Sequence, residues 1–422
     1  MISRRALVDA LSRRRVAEWT VIESAQEIAR VDEQRPVRHT DTRTRWTVLV
    51  HHDVPQGRGS ARIEVTALDA NPNDLIEQAI ELASVAVGPV WRSTPPAAPA
   101  KVDIFDPTLA RVSLLDVATS TLSQLKRPAD LTVGATLELV REQTTVQASS
   151  GFSTRWPSST ARASFLVASH ERSFEVVREA RRIVDLDLAT SLATAATDLQ
   201  QLAAAAPTTP GRYTLALRSE ALLHGGGLGL WSVFAERATA DVERAGLLRY
   251  RLGAPIAPAA DQLAEPITIT SDGTLDFGLR SAPVGDDGDA IRRFALVERG
   301  VAVGLGTSMR EAARRGKDPN GGIRNLVVTS GTWNDALPST TRSLDVRRLR
   351  SLAIDPYTGD ANLEIGLAIE RDGTSERAVT GGILHLDLVA ALARARRSAT
   401  PLRRGAYLGP GALLLEDVEV FS

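Results

Sequence analysis

The chain has 422 residues, in which 50 Lys and Arg residues balance 51 Asp and Glu residues, and it contains no cysteine. Hydrophobic residues make up 43% and charged residues 24%, so a wholly disordered, collagen-like or coiled-coil chain is excluded. Without thiols there is no disulfide framework, no Cys-ligated zinc or iron–sulfur site and no Cys nucleophile.

Charge and hydropathy patterning also limit the partners. Acidic residues are interspersed among the basic ones and no long basic block stands out, which argues against a nucleic-acid partner. No run approaches the roughly 18 apolar residues of a membrane-spanning helix, and the N-terminus lacks an apolar signal core. We therefore expect a soluble, unprocessed, cytoplasmic protein with neither a nucleic-acid nor a membrane partner, and the length suggests two or three domains.

The first half of the chain is predicted to place helices on an antiparallel sheet. In chain order, the periodicity first predicts a helix over residues 2–15 and strands over 16–23, 44–51 and 60–68, followed by a helix capped by Asn71 with Pro72 at its first position. A Pro- and Ala-rich connection over about 88–101 comes next. After it we expect a helix over 114–125 with Ser113 as its cap, strands over 131–147 and 159–169 joined across Gly151, and a helix over 186–206. This order of helices and strands hints at a duplicated α/β layer.

The texture changes after the helix breaker PTTPG at 207–211. Short strand-like segments separated by Gly, Asp and Asn follow, and the predicted helices are limited to 219–223, 310–315 and 389–396. Many short strands with Gly-rich turns favour a barrel or a sandwich. The sequence thus predicts an α+β fold, with an N-terminal α/β layered domain over 1–206 and a C-terminal, mostly-β, barrel- or sandwich-like domain over 207–422.

The most distinctive local motif is LLHGGGLGL at 222–230. His followed by glycines is similar to an esterase oxyanion loop, but no G-x-S-x-G nucleophile elbow occurs in the chain. Leu230 stands where a dinucleotide fingerprint needs its third Gly, and Asp318 follows Gly316-Lys317 where a phosphate loop needs Ser or Thr. These three site classes are therefore not supported.

Metal-site candidates are sparse. His51 and His52 are adjacent and could hold a metal with further ligands, but neighbouring strand residues point to opposite faces, so a simple strand end is favoured. His170-Glu171 begins like a zincin helix, yet Phe174 stands where the second His is needed. The acids Asp286, Asp287 and Asp289 could bind a hard cation, although a solvated turn is the simpler interpretation.

The C-terminal half resembles a known family. The ordered segments PGRYTLALRSEALLH (210–224), SDGTLDFGLRSAPVGDDGDAIRRFALVERGVAVG (271–304), NGGIRNLVVTSG (320–331) and GPGALLLEDVEVF (409–421) are similar to the TldD/PmbA family, also called modulators of DNA gyrase or predicted zinc peptidases. The resemblance spans most of residues 205–422 and fits the first domain more loosely.

The resemblance implies a branch without its own metal. In that family the TldD-type subunit carries H-E-x-x-x-H and a downstream Cys, which hold the catalytic zinc. At the matching place only His224 remains, because Gly225 replaces the Glu, Gly229 replaces the second His, and the chain has no Cys. One His alone would not polarise a water enough for peptide hydrolysis.

The chain is therefore interpreted as a PmbA/TldE-like subunit with no catalytic residue and no metal ligand of its own. The resemblance implies a TldD-type zinc peptidase partner that carries the zinc, and an unfolded peptide substrate bound as an added strand in an enclosed cavity. Gly226 and Gly227, together with Asp286 and Asp287, are the candidate cavity-lining residues. Two alternatives stay open, namely a diverged member with its own peptide-hydrolysing or peptide-modifying activity, and a homodimeric binding or scaffold protein.

Overall fold

The computed structural model describes residues 2–14, 16, 18–35, 37–66, 69–88, 90–92, 96, 98–169, 172–248, 251–257, 265–338, 341–355 and 358–421. Its helices are α1 (Arg4–Arg13), α2 (Pro72–Val85), α3 (Leu114–Ser123), α4 (Leu188–Ala203), α5 (Ser219–Leu222), α6 (Ser232–Arg237), α7 (Ala240–Arg244), α8 (Met309–Arg314) and α9 (Leu388–Arg394). Its strands are β1 (Glu18–Asp32), β2 (Val37–Val54), β3 (Gly57–Val65), β4 (Val87–Gly88), β5 (Thr132–Ala148), β6 (Ser153–Ser169), β7 (Arg172–Ala180), β8 (Ala206–Pro207), β9 (Gly211–Leu217), β10 (Ile269–Asp272), β11 (Arg293–Glu298), β12 (Val301–Ala302), β13 (Asn325–Val328), β14 (Ser343–Ile354), β15 (Asp360–Asp372), β16 (Ser375–Thr380), β17 (Ile383–Asp387), β18 (Arg396–Arg397), β19 (Pro401–Arg404), β20 (Tyr407–Pro410) and β21 (Leu413–Phe421).

Local capping signals begin the N-terminal helices where the sequence predicts them. The side chain of Ser3 caps α1, Asn71 caps α2 with Pro72 at its first turn, and Ser113 caps α3 by accepting a hydrogen bond from the backbone N–H of Asp116. Each cap satisfies a backbone donor that the helix itself leaves unpaired.

The N-terminal half is a seven-stranded antiparallel sheet with the strand order β4-β3-β2-β1-β5-β6-β7. Helices α1 and α2 pack with β1–β3 around one buried core, and α3 and α4 pack with β5–β7 around another. Each half therefore runs helix, three strands, helix, and the β1–β5 pairing joins the halves. Helices on an antiparallel sheet are confirmed, and the hinted duplication has a structural counterpart.

Two strands are much longer than predicted. Strands β1 and β2 pair continuously from Glu18↔His51 to Asp32↔Val37. Most residues of the first half of β2 are exposed on both faces, so no apolar alternation marks this part of the strand in the sequence. Backbone pairing of β1 with β2 on one side and with β5 on the other extends the sheet beyond the hydrophobic part of β2.

The C-terminal half contains a closed barrel. Strands β14, β9, β21, β17 and β15 are neighbours in one sheet, and a further antiparallel pairing between β14 and β15 closes the ring. A second, six-stranded sheet has the order β12-β11-β10-β13-β20-β19. The predicted α+β class with a barrel-like C-terminal part is confirmed, although helices α6 and α7 were not predicted.

The predicted division of the chain at 206/207 stays a prediction, and the short strand β8 of the eight-stranded sheet spans this point. Strands β1 to β7 of the first sheet end at Ala180, and the barrel strands begin at Gly211. Among the described residues, no helix is long and apolar enough to cross a membrane.

Candidate functional site

The glycine-rich segment 224–229 forms a pair of tight turns. Residues His224–Gly226 and Gly229–Trp231 are single 3₁₀ turns, and the φ angles of Gly225, Gly226 and Gly229 are 77°, 82° and 52°. These left-handed values interrupt any α-helix, and residues that have a side chain adopt them at a cost of about 1–2 kcal/mol each. The backbone is therefore not the continuous helix on which an H-E-x-x-x-H motif would present its side chains.

Gly229 is also blocked by its surroundings. A Cβ atom at this position would lie 2.1 Å from the carbonyl oxygen of Leu222 and 2.6 Å from the Cα of Leu223. Both contacts are with backbone, so a histidine at 229 would require the chain to move. At Gly225 the space is open but the φ angle remains 77°. The segment therefore does not fit a zinc ion, and among the described residues no group of three or more acidic or His side chains is arranged to hold a metal.

Three residues of the segment line a cavity of about 670 Å³. They are His224, Gly225 and Gly226, whereas Gly227 and Gly229 are not part of its wall. The half-buried His224 has its pKa lowered by burial, which favours the neutral imidazole. The volume lies within the roughly 300–1,000 Å³ of typical ligand sites.

Strand β7 forms the longest wall of this cavity. Residues 172–178 contribute to the wall together with residues 348–350 of β14 and the turn at His224, which packs against Val177. Strand β7 is also the last strand of the seven-stranded sheet, and in the described part of the chain no strand pairs with its outer edge. Unpaired backbone groups of an edge strand are a template for another extended chain.

A largely buried charge cluster, centred on Glu220, forms part of the cavity wall. One carboxylate oxygen accepts a hydrogen bond from Arg178 at 2.6 Å and forms an ion pair with Nη2 of Arg404 at 2.9 Å. The other oxygen lies 3.9 Å from Nη1 of Arg348. Burial alone would raise the pKa of Glu220, but the three guanidinium groups, Arg404 foremost, outweigh it and hold the pKa below its ordinary value.

Arg348 links this cluster to α4. Its Nε donates to Oδ2 of Asp198 at 2.7 Å, and its guanidinium lies 4.8 Å from the ring centroid of Phe174. Both charged side chains are almost fully buried, and burial raises the pKa of Asp198 although Arg348 opposes the shift. Among the described residues, Nη2 of Arg348 has no hydrogen-bond partner.

Sequence reasoning missed this cluster. Glu220 stands inside the segment 210–224 and four residues before His224, but nothing local distinguishes it from a surface acid. Arg178 carried a usable signal, since it occupies the inward position between Val176 and Ala180, which are both buried. An arginine at an inward position of an alternating strand indicates a buried partner.

The two adjacent histidines do not converge on a site. His51 is 4% exposed, its Nδ1 lies 3.0 Å from the hydroxyl of Ser60, and its ring meets Trp91 edge-on at 4.6 Å. Burial lowers the pKa of His51 to about 4, so the ring is neutral. His52 is the next strand residue and is only half-buried. His170 and Glu171 lie outside the described residues.

Asp286 and Asp287 of the acidic turn do not line the cavity at His224, and their expected role in lining a cavity enclosed with a partner subunit stays a prediction. Asp286 accepts a hydrogen bond from Arg324 at 3.1 Å, and Asp287 lies 3.7 Å from Nη1 of Arg62 on β3. Both acids thus pair with arginines, and the contact with Arg62 holds the turn against β3 of the N-terminal sheet. The structure offers this pairing instead of a cation site.

Comparisons with known proteins agree with this architecture. Residues 227–422 match the family model of the PmbA/TldA metallopeptidase C-terminal domain. Three crystal structures superpose on the chain at 15–16% identity. Two are proteins described as modulators of DNA gyrase: one from Bacteroides thetaiotaomicron, with a TM-score of 0.77 over 100% of this chain and 99% of that one, and one from Thermotoga maritima, with a TM-score of 0.78 over 99% of this chain and 100% of that one. The third is TldE from Thermococcus kodakarensis, with a TM-score of 0.77 over 99% of this chain and 100% of that one.

A curated relative matches over a shorter stretch. An uncharacterised protein of Methanocaldococcus jannaschii is 35% identical over 113 residues, which are 24% of this chain and 27% of that protein. The chain thus matches about a quarter of that relative's length. At their low identity the crystal structures show the shared fold, and the family model identifies the C-terminal domain. The resemblance inferred from the sequence is confirmed.

Proposed function

We propose that this chain, whose residues 227–422 belong to the PmbA/TldD C-terminal domain family, is a TldE-like, non-catalytic subunit of a heterodimeric zinc peptidase. Its partner would be a TldD-type subunit that carries the zinc and cuts unfolded peptides. The chain itself would supply part of the wall of the peptide-binding cavity.

The observation that carries this proposal is the geometry at Gly229. The position that would hold the second zinc-binding histidine has a φ of 52° and backbone atoms within 2.1–2.6 Å of the required Cβ. Substitution of the missing side chains alone would not rebuild the site, since the backbone is turned away from a helix. A chain shaped in this way is suited to a structural role beside a catalytic partner.

The cavity supports the choice of substrate. An unfolded peptide offers unpaired backbone donors and acceptors, which β7 can bind without regard to the peptide's sequence. The crystal structure of a protein named TldE with the same fold supports the choice of subunit type.

Peptide cleavage by purified components tests the proposal. The chain is assayed alone, with a TldD-type protein from the same organism, and with that partner after its motif Glu is changed to Gln. We expect cleavage of an unstructured peptide only in the mixture that contains the unaltered partner. Removal of zinc with a chelator should abolish that cleavage.

Two other results would replace the proposal. Cleavage or modification of the peptide by the chain alone would show an activity of its own. A stable homodimer that neither binds the partner nor alters its cleavage rate would indicate a binding or scaffold protein.

A further inference from the structure

The cavity beside His224 contains a buried cationic group that its neighbours do not fully satisfy. Arginines 178, 348 and 404 meet only two acids in the cluster, Glu220 and Asp198. Arg178 uses its donors on Ser191, on the carbonyl of Val177 and on Glu220. Arg348 differs, because Nη2 of its guanidinium has no hydrogen-bond partner among the described residues.

The donors of Arg348 are divided between two directions. Nε faces Asp198 at 2.7 Å, while Nη1 is 3.9 Å from Glu220, which is beyond hydrogen-bond distance. Nη2 is buried and has no hydrogen-bond partner among the described residues, and Arg348, whose side chain is 6% exposed, forms part of the cavity wall. A buried charged donor without an acceptor is costly, so this end of the fork favours a ligand that accepts hydrogen bonds.

Phe174 and Asp198 fix the orientation of the fork. The aromatic ring lies under the guanidinium at 4.8 Å, and Asp198 holds the Nε edge. A planar, immobilised pair of N–H groups matches the two oxygens of a carboxylate. Two acids, Glu220 and Glu175, also line the cavity. Glu220 is already neutralised by Arg178 and Arg404, whereas Glu175 lies on β7 and its side chain is exposed to solvent.

We propose that Arg348 anchors a carboxylate group of the peptide in this cavity, either its C-terminal carboxylate or an acidic side chain. The proposal rests on the proposed function, since it takes the cavity as the place where the peptide lies. It assigns to this subunit the selection of anionic peptides, in addition to the sequence-tolerant backbone pairing along β7.

Binding of matched peptides tests the proposal without any substitution. Fluorescent, unstructured peptides of one sequence carry a free or an amidated C-terminus and an internal Glu or Gln, and their affinities for the chain and for its complex with the partner are measured by anisotropy. Loss of the recognised carboxylate should weaken binding about tenfold to a hundredfold, as for a charge-assisted hydrogen-bonded pair. An effect of amidation identifies the C-terminus, and an effect of Glu→Gln identifies a side chain. Equal affinities for all four peptides would overturn the proposal.

Variants locate the anchor. The double variant Arg348→Gln/Asp198→Asn removes the fork without leaving a buried acid unpaired, and it should bind all four peptides alike. Arg212→Gln is the matched control, because it removes one positive charge from an exposed ion pair with Asp417 outside the cavity wall. Retained discrimination in the double variant would contradict the proposal.

The result is separable from that of the proposed function. Carboxylate-dependent binding by a chain that supports no cleavage with the partner would remove the peptidase role and keep the anchor. Cleavage by the complex with no preference for a carboxylate would keep the peptidase role and remove the anchor.

Discussion

The turn at 224–229 is expected to tolerate a side chain at Gly225 far better than at Gly229. Both glycines have left-handed φ angles, 77° and 52° respectively. A Cβ at Gly225 would have no heavy atom within 4 Å, whereas at Gly229 it would lie 2.1 Å from the carbonyl oxygen of Leu222. The substitutions Gly225→Ala and Gly229→Ala therefore separate the cost of the backbone conformation from the cost of the steric clash.

The two costs have different sizes. The left-handed conformation alone costs an alanine about 1–2 kcal/mol, which is the whole effect expected for Gly225→Ala. A contact with fixed backbone adds overpacking of roughly 1–3 kcal/mol, so Gly229→Ala should reduce the free energy of unfolding by about 2–5 kcal/mol. The fully buried Trp231 stands two residues from Gly229, so it is placed to report on this region.

Urea unfolding followed by tryptophan fluorescence measures the difference between the variants. Equal midpoints for Gly225→Ala and Gly229→Ala would refute the reasoning. They would mean that the segment rearranges at little cost, and then the backbone would no longer exclude a zinc-binding helix.

Three further substitutions and one control substitution test the charged and titratable groups. Glu220→Gln should lower the free energy of unfolding by roughly 3–5 kcal/mol, because it leaves buried arginines without their acidic partner. The control Glu419→Gln, in an exposed ion pair, should change it by less than about 0.5 kcal/mol. Urea unfolding midpoints measure the difference, and equal effects would contradict the stabilising role of the buried cluster. Burial raises the pKa of Asp289 from 3.8 to about 6, so the stability that its protonated form contributes is lost as pH rises through 6. The free energy of unfolding of Asp289→Asn should therefore be close to that of the wild type near pH 4 and exceed it by about 3 kcal/mol at pH 8; the same difference at both pH values would contradict the raised pKa. The pKa of His51 is lowered to about 4, so the wild type should lose stability as pH falls from 6.5 towards 4 more steeply than His51→Gln, and parallel pH profiles would refute this.

The sequence predicts those elements whose signals are local. Helix α2 begins where Asn71 and Pro72 supply a cap and a fixed φ, and the hairpin of β5 and β6 turns at Gly151, whose φ is 87°. The first half of β2 escapes prediction because its residues are polar and mostly exposed, and only pairing with β1 defines it. Barrel closure by β14 and β15 is likewise a tertiary pairing that leaves no mark in composition.

The candidate site divides in the same way. The resemblance identified position 224 and its glycines, and the structure places His224, Gly225 and Gly226 on a cavity wall. The inward position of Arg178 indicates a buried partner, but the sequence does not show which one, because Arg178, Glu220 and Arg348 come from β7, α5 and β14 and meet only in the fold. The blocked Cβ position at Gly229 is equally a property of packing, since the sequence shows a glycine without the reason for it.

Native mass spectrometry of the isolated chain, the TldD-type partner and their mixture shows whether this chain is the metal-free subunit of a zinc peptidase. We expect a one-to-one complex that holds a single zinc ion, with the metal retained by the partner and none on this chain after the two are separated. A zinc ion bound stoichiometrically to the isolated chain, or a homodimer that excludes the partner, would contradict this expectation.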